Sequence, residues 1–232
     1  MDELLLCRGL TRYYGSEPAL TGVDLVIRPG RFVGLLGPNG SGKTTLMKLA
    51  AGLLTPTAGG VWLAGHAPGP ESKGLVSYLP DREHLPGHLP VEELVALYAD
   101  FYPDFHPDRA RAMLRDLDLD PRKPLRRLSK GNREKVQLIL TMCRRAALYL
   151  LDEPIGGIDP AARDYILHTI LSGYDEGSSV LLSTHLIQDV EPILDEAVFL
   201  KQGQVLCHRS ADELRQTEGK SLDAYFREVY KC

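Results

Sequence analysis

The sequence predicts an α/β fold built on a core sheet with a small helical insertion. The apolar run 32–36 leads into a glycine-rich loop and then into a helical run, 45–52. Two further apolar runs, 148–151 and 180–182, end in polar residues, as buried strands of a parallel sheet do. Near residue 88 the pattern changes from strands to helices. These observations together predict a core sheet interrupted by a helical insertion.

The composition is ordinary for a globular protein. The 232 residues suit one large α/β domain or a core with a small subdomain. Hydrophobic residues make up 44% of the chain and charged residues 25%. The net charge of −4 gives no support for nucleic-acid binding, so we expect no nucleic-acid partner.

Membrane-spanning and secreted classes are not expected either. No apolar run approaches the roughly 20 residues of a membrane helix, and the acidic N-terminus lacks the basic region of a signal peptide. The cysteines lack metal-ligand spacing, which favours reduced thiols in the cytosol. They are Cys7, Cys143, Cys207 and Cys232.

The N-terminal part predicts short strands at 4–7 and 23–27, around a turn-rich segment. Further short strands are expected at 61–63 and 75–78. A continuous helical pattern runs from the segment 128–132 through Arg145. The remaining predicted elements are the strand 148–151, a helix from Pro160, the strand 180–182, a hairpin at 197–204 and helices near 211–217 and 222–229.

Apolar residues repeat at helical spacing over 91–98 and again over 110–117. We therefore predict a helical subdomain at 88–128. It would divide the core into two segments, 1–87 and 129–232.

The glycine-rich loop matches the pattern G-x-x-x-x-G-K-[ST] at every fixed position. Its glycines let successive backbone N–H groups turn inward around an anion, and the following helix adds its positive N-terminus. Lys43 can reach β- and γ-phosphates, and the Thr44 hydroxyl can bind Mg²⁺. The alternative is a turn with no ligand, but the flanking strand and helix favour a phosphate site. The loop residues are Gly37, Pro38, Asn39, Gly40, Ser41, Gly42, Lys43, Thr44 and Thr45.

Polar side chains at the ends of two other predicted strands suggest a second part of the site. Asp152 could bind Mg²⁺, and Glu153 could polarise a water that attacks the γ-phosphate. His185 could contact both this carboxylate and the phosphate. Read alone, the acids could equally be ordinary surface groups at a strand exit. The intact phosphate loop favours the functional interpretation.

The order of these motifs resembles an ATP-binding cassette of the ABC transporter family, over most of the chain. No single short motif carries the resemblance, which rests on their joint order and spacing. The motifs are Walker A at 37–45, a signature at Leu128-Ser129-Lys130-Gly131-Asn132, Walker B at 148–153, a D-loop at Gly157-Ile158-Asp159-Pro160 and an H-loop at Ser183-Thr184-His185.

This resemblance implies a P-loop NTPase core sheet with an N-terminal antiparallel β subdomain and the small inserted helical subdomain. It implies ATP and Mg²⁺ as cofactors, with Tyr14 stacked on adenine. Ser129 and Gly131 would contact ATP bound to a second cassette, homodimeric or heterodimeric, and Asp159 would complete the site. The signature and the insertion resemble those of bacterial drug or peptide exporters.

Five positions depart from the family pattern, and two of them, Ile155 and Ile158, replace residues commonly seen in the D-loop. Asp81 stands where the family has the glutamine of its Q-loop, and could still bind the metal. Lys130 and Asn132 replace a glycine and a glutamine of the signature. Lys130 either adds positive charge near a phosphate or is simply solvated.

The resemblance also implies a partner, an integral-membrane permease subunit. The chain would then be cytoplasmic and peripheral on the inner face of the membrane. Phe101, Tyr102 and Phe105 are candidate contacts for that partner, although such rings more often pack within their own subdomain. The alternatives are a regulatory module that signals to a membrane partner and a non-transport ABC protein.

Overall fold

A computed structural model describes residues 3–175 and 177–230. Within them, strands β1 (Leu5–Tyr14), β2 (Glu17–Ile27) and β4 (Ala58–Leu63) form an antiparallel sheet in the order β2-β1-β4. The larger sheet contains β3 (Phe32–Leu36), β5 (Val76–Leu79), β6 (Leu148–Asp152), β7 (Ser179–Thr184), β8 (Glu196–Lys201) and β9 (Gln204–Ser210). Its order is β5-β6-β7-β3-β8-β9. The predicted α/β fold with an antiparallel N-terminal sheet is confirmed.

Helices surround the larger sheet and join its strands. They are α1 (Lys43–Ala50), α2 (Pro70–Gly74), α3 (Val91–Phe101), α4 (Pro107–Arg115), α5 (Lys130–Met142), α6 (Pro160–Gly173), α7 (Ile187–Val190), α8 (Ala211–Glu218) and α9 (Leu222–Val229). Short 3₁₀ turns occur at Leu125–Arg127 and Glu191–Ile193. The short helices α2 and α7 were not predicted, because too few residues in them show helical spacing.

The strand order brings the predicted site residues to one edge of the larger sheet. β6, β7 and β3 are neighbours and run parallel, so their carboxyl ends meet. Asp152 pairs with Ser183, and Leu36 pairs with Thr184. The phosphate loop and the carboxylates therefore begin from adjacent strand ends.

The turn-rich segment expected between the first two strands is wrong. β1 and β2 are long and paired along their length, and they are joined at Gly15. The register shifts between Cys7 and Leu10, close to Gly9, whose φ of 54° a glycine adopts without strain. Residues that resemble turns in the sequence are thus β-bulges inside a hairpin.

The helical region has its own apolar cluster. Val91, Leu94 and Ala110 pack with Ile139 of α5 and with Leu125. The boundaries 88 and 128 of the predicted subdomain remain a prediction. The cluster does include side chains of α5, so the inserted helices are closely packed against the core.

The three aromatic residues proposed as partner contacts differ in their surroundings. Phe105 is only 6% exposed, and the Tyr102 ring lies 5.4 Å from the ring of Tyr98. Phe101 is 67% exposed. The expectation of a partner contact is therefore wrong for Phe105, which packs in the cluster of its own helices, and it remains a prediction for Phe101.

Helix α5 ends three residues earlier than the helical pattern predicted. Arg144 follows it, and its guanidinium turns inward to donate hydrogen bonds to the carbonyls of Gly74 and Val76. Its neighbour Arg145 remains exposed.

Within the described ranges, no helix combines the length and apolar character needed to cross a bilayer.

Candidate functional site

The loop 37–42 is closely packed against the end of β8. A Cβ added to Gly37 would lie 2.5 Å from both Leu200 O and Ser41 Oγ. Gly42, which precedes α1, has a φ of 107° that strongly favours glycine. These two glycines are required by space and by backbone conformation, so the spacing of the motif has a physical cause.

Lys43 begins α1 and is buried within the loop. Its Nζ donates to Gly37 O at 2.8 Å and to Pro38 O at 3.2 Å, and it lies 3.3 Å from Glu153 Oε1. The lysine therefore links the loop to the end of β6. A buried ammonium at the N-terminus of a helix is suited to binding an anion.

Asp152 ends β6 and is 1% exposed. Ser183 donates a 2.6 Å hydrogen bond to its Oδ1, while Oδ2 has no hydrogen-bond partner among the described residues. Burial raises the pKa of Asp152. The Ser183 and Thr44 hydroxyls oppose the rise, and the carboxylates of Asp81 and Glu153 add to it.

These features fit a divalent cation. A buried, unpartnered carboxylate oxygen beside the Thr44 hydroxyl offers two oxygen donors, the ligand type that Mg²⁺ prefers. A positive ion there would also compensate a carboxylate that is otherwise costly to bury. Asp152 and Thr44 are therefore the residues that would hold the metal.

Glu153 follows the strand with a φ of 51°, which is rare for a residue with a side chain. Its N–H donates to Ser183 Oγ at 3.0 Å, and its Oε2 lies 3.0 Å from His185 Nδ1. Two strand ends thus hold this carboxylate in place. The arrangement orients it for an acid–base role.

The cavity at this sheet edge has a volume of about 560 Å³. It brings together several of the predicted site residues from the loop and from three strand ends. Asp81 also lines this cavity. It lines a second cavity of about 260 Å³ as well, and Asp152 is part of the lining of that second cavity. The predicted residues in the lining are Asn39, Gly40, Gly42, Lys43, Thr44, Thr45, Asp81, Glu153 and His185.

Eight predicted residues of the described chain do not line this cavity. Gly37, Pro38, Ser41 and Asp152 lie within two residues of lining residues in the sequence, whereas Tyr14, Ser129, Gly131 and Asp159 belong to other segments. Tyr14 is exposed at the end of β1, with the Arg12 guanidinium 5.1 Å from its ring centre. Ser129 caps α5 by accepting a hydrogen bond from Asn132 N, and Gly131 lies in the first turn. Asp159 lies just before α6 and is exposed.

Lys130 is mostly solvated. Its Nζ lies 3.7 Å from Glu134 Oε1, one helical turn along α5, and its side chain is exposed. Within one chain it therefore forms an ordinary surface pair. It also lines the second cavity, together with Asp81, Asp152 and Glu153.

Sequence reasoning missed the support behind the site. Ser183 was noted within a motif, but not as the group that binds both Asp152 and the Glu153 amide. Tyr230 was not considered, yet its hydroxyl donates to Leu200 O at 2.9 Å, beneath Gly37. The polar ends of strands were a usable signal for Ser183, whereas nothing local marks Tyr230.

Comparison with known proteins agrees with this geometry. The profile of the ABC transporter family matches residues 20–156, more than half of the chain. This chain belongs to the ABC transporter family. The match spans the phosphate loop, the helical region and the carboxylates Asp152 and Glu153.

Three ABC proteins show the extent of the similarity. An ABC transporter ATP-binding protein of Nostoc sp. is 34% identical over 204 residues, which cover 84% of this chain and 61% of that protein. The ABC-type transporter ATP-binding protein EcsA of Bacillus subtilis is 31% identical over 240 residues, covering 99% and 97%. A solved structure of an ATP-binding subunit of an ABC transporter superposes with a TM-score of 0.88 at 30% identity, covering 98% and 100%.

The chain thus spans about three fifths of the Nostoc protein and nearly all of EcsA. Membership of this family indicates a nucleotide-binding cassette. The contribution of each site residue remains a prediction.

Proposed function

We propose that this ABC protein hydrolyses ATP, with Glu153 as the general base, and so powers transport through a separate membrane-spanning subunit. The observation that carries the proposal is the position of Glu153. It lies in the phosphate cavity, 3.3 Å from Lys43 and 3.0 Å from His185. A carboxylate held at that place can accept a proton from an attacking water.

The other residues of the chain bind and orient the nucleotide. The N–H groups of the loop 37–45 and the N-terminus of α1 surround the phosphates, and Lys43 adds a cation. His185 holds Glu153 in position. A Mg²⁺ ion held by Thr44 and Asp152, with Asp81 nearby, would stabilise negative charge on the phosphates when bound.

The residues outside the cavity support a second cassette. Ser129, Gly131 and Asp159 do not line the cavity of their own chain, so a second copy or a related cassette would have to present them to the nucleotide. Tyr14 is exposed at the end of β1, where an adenine ring could stack on it. Closure of two cassettes around ATP would then be a ligand-driven shift between two states.

The decisive test is Glu153→Gln, which keeps the shape and removes the proton acceptor. We expect ATP turnover to fall by about 100-fold or more, the range of a lost general base, while ATP binding persists. Steady-state phosphate release and equilibrium binding of a fluorescent ATP analogue would measure the two effects. Glu71→Gln is the control, because Glu71 pairs with His66 at the surface, outside the cavity lining.

Turnover equal to wild type in Glu153→Gln would remove this residue from the base role. Transport is tested separately. Reconstitution with a candidate permease should show solute flux that depends on ATP turnover. Turnover without flux, together with an altered activity of the membrane partner, would favour the regulatory alternative.

A further inference from the structure

We propose that Tyr230, which follows helix α9, is a positioning residue that holds the phosphate loop in its binding conformation. The inference rests on the proposed function and adds a residue from the far end of the chain to the same site. Tyr230 touches neither the phosphates nor Glu153. It acts through the two strand ends on which the loop rests.

The contact is made by the phenol hydroxyl. It donates to Leu200 O at 2.9 Å and lies 3.4 Å from Leu36 O. Leu36 is the last residue of β3 and immediately precedes Gly37, where the loop begins. One hydroxyl therefore joins the end of β8 to the start of the phosphate loop.

The Leu200 carbonyl is in turn packed against the loop. A Cβ on Gly37 would lie 2.5 Å from Leu200 O, so the glycine backbone rests directly on this oxygen. The following turn makes a second contact, because Gly203 N donates to Ser41 O at 2.9 Å. The connection from β8 to β9 thus supports the loop at both of its ends.

Tyr230 is itself held firmly. Its ring lies 4.3 Å from the ring of Phe226, and Lys201 Nζ lies 5.5 Å from the ring centre. The same ammonium donates to Val229 O at 3.1 Å, at the C-terminal end of α9 where cations are favoured. Burial raises the pKa of Tyr230, so its hydroxyl remains a proton donor at neutral pH.

The direction of the loop N–H groups determines how well they bind a phosphate. Loss of the Tyr230 hydrogen bond would let Leu200 and Leu36 shift, and the loop with them. Glu153 follows β6 and His185 follows β7, and the Tyr230 hydroxyl bonds to the carbonyls of Leu200 and Leu36 and not to either of these side chains. The effect should therefore appear in nucleotide affinity and not in the chemical step.

The test compares two tyrosines that lose the same atom. Tyr230→Phe keeps the ring and removes the hydroxyl. Tyr225→Phe is the matched control, because Tyr225 belongs to the same aromatic cluster through its ring, 5.2 Å from Phe199, and the hydrogen bond to Leu200 comes from Tyr230. Equilibrium binding of a fluorescent ATP analogue, KM, kcat and the thermal midpoint would be measured for both variants and for wild type.

We expect Tyr230→Phe to raise Kd and KM about three- to fivefold, the effect of one neutral hydrogen bond, with kcat unchanged. Tyr225→Phe should leave Kd and KM at wild-type values, even if both variants lose similar thermal stability. Equal Kd in all three proteins, or an equal rise in both variants, would overturn the inference. Wild-type protein that binds no ATP would instead refute the proposed function, which is a different and recognisable result.

Discussion

Two regions bury charged side chains in different ways. Arg144, two residues after the end of α5, donates hydrogen bonds to Gly74 O and Val76 O. It donates two more hydrogen bonds to the carboxylate of Asp104. The Tyr102 ring covers the guanidinium at 4.0 Å. Every face of this charge thus has a partner.

The glycine-rich loop and the adjacent end of β6 bury polar groups differently. Asp152 Oδ2, Glu153 Oε1 and Ser41 Oγ are buried with no hydrogen-bond partner among the described residues. Lys43 lies 3.3 Å from the Glu153 oxygen, a distance consistent with an ion pair. These polar atoms are shielded from water and incompletely paired.

The difference separates structure from function. A buried polar group without a partner is costly, and in a native protein it points to strain, to a catalytic role, or to a water or ion that completes its bonding. Arg144 fastens the helical region to β5, whereas Asp152 and Ser41 keep buried oxygens without a hydrogen-bond partner among the described residues. Mutations in the two regions should therefore change stability in opposite directions.

The largest effect is expected for Arg144→Met. The change leaves the Asp104 carboxylate and two backbone carbonyls unpaired, so we expect the free energy of unfolding to fall by about 3 kcal/mol. Arg145→Met is the matched control, because the adjacent side chain is 74% exposed, against 5% for Arg144. Its effect should stay within about 0.5 kcal/mol.

Urea denaturation of both variants would measure these values. Similar free energies of unfolding for Arg144→Met and Arg145→Met would contradict the idea that the Arg144 guanidinium fastens the helical region to β5. ATP affinity of the folded Arg144→Met protein should match wild type, since its contacts lie outside the cavity.

Asp152→Asn should have the opposite sign. It removes a buried charge with an unpaired oxygen, so we expect the metal-free protein to gain about 1–2 kcal/mol of stability at pH 7. Mg²⁺-dependent ATP turnover should fall at the same time. Thermal unfolding with a chelator present, and phosphate release with Mg²⁺ added, would measure the two effects.

The pH dependence provides an independent check. The folded-state pKa of Asp152 is raised above the usual value near 3.9 by burial, so the folded protein takes up this proton more readily than the unfolded chain. The ionised Asp152 carboxylate therefore lowers the free energy of unfolding of the wild-type protein. This penalty disappears as the pH falls through the raised pKa. The advantage of Asp152→Asn should shrink over the same range, and an advantage independent of pH would contradict this origin.

The smallest effect is expected for Tyr14→Ala, which extends the comparison to an exposed ring. Loss of a stack on adenine should weaken ATP binding by about 1 kcal/mol and leave stability nearly unchanged. Tyr13→Ala is the control, because neighbouring residues of a strand point to opposite faces. Equal dissociation constants for the two variants and wild type would remove Tyr14 from the adenine site.

The elements with strong local patterns were predictable. The apolar runs of β3, β6 and β7 and the helical spacing of α3 and α4 all correspond to observed elements. The long hairpin of β1 and β2 was not, because glycines that resemble turns lie in its bulges. The local pattern places Arg144 in helix α5, although the helix ends before it. The hydrogen bonds that turn Arg144 inward join residues about 70 positions apart, so no local pattern indicates them.

The candidate site divides in the same way. Its loop and its carboxylates follow motifs of short spacing, and the cavity contains Lys43, Glu153 and His185 together. Among the predicted residues outside the cavity lining are Ser129, Gly131 and Asp159. The proposed role of these residues depends on a second chain. The role of Tyr230 depends on contacts with Leu36 and Leu200, which no local pattern indicates.

The amino-acid sequence alone determined which groups could bind phosphate and metal, because glycine spacing, helix starts and polar strand ends are local properties of the chain. Only the tertiary structure decided which buried charged groups have hydrogen-bond partners within the protein and which do not. Pairing depends on atoms brought together from distant positions, as Arg144 is with Val76 and as Tyr230 is with Leu36.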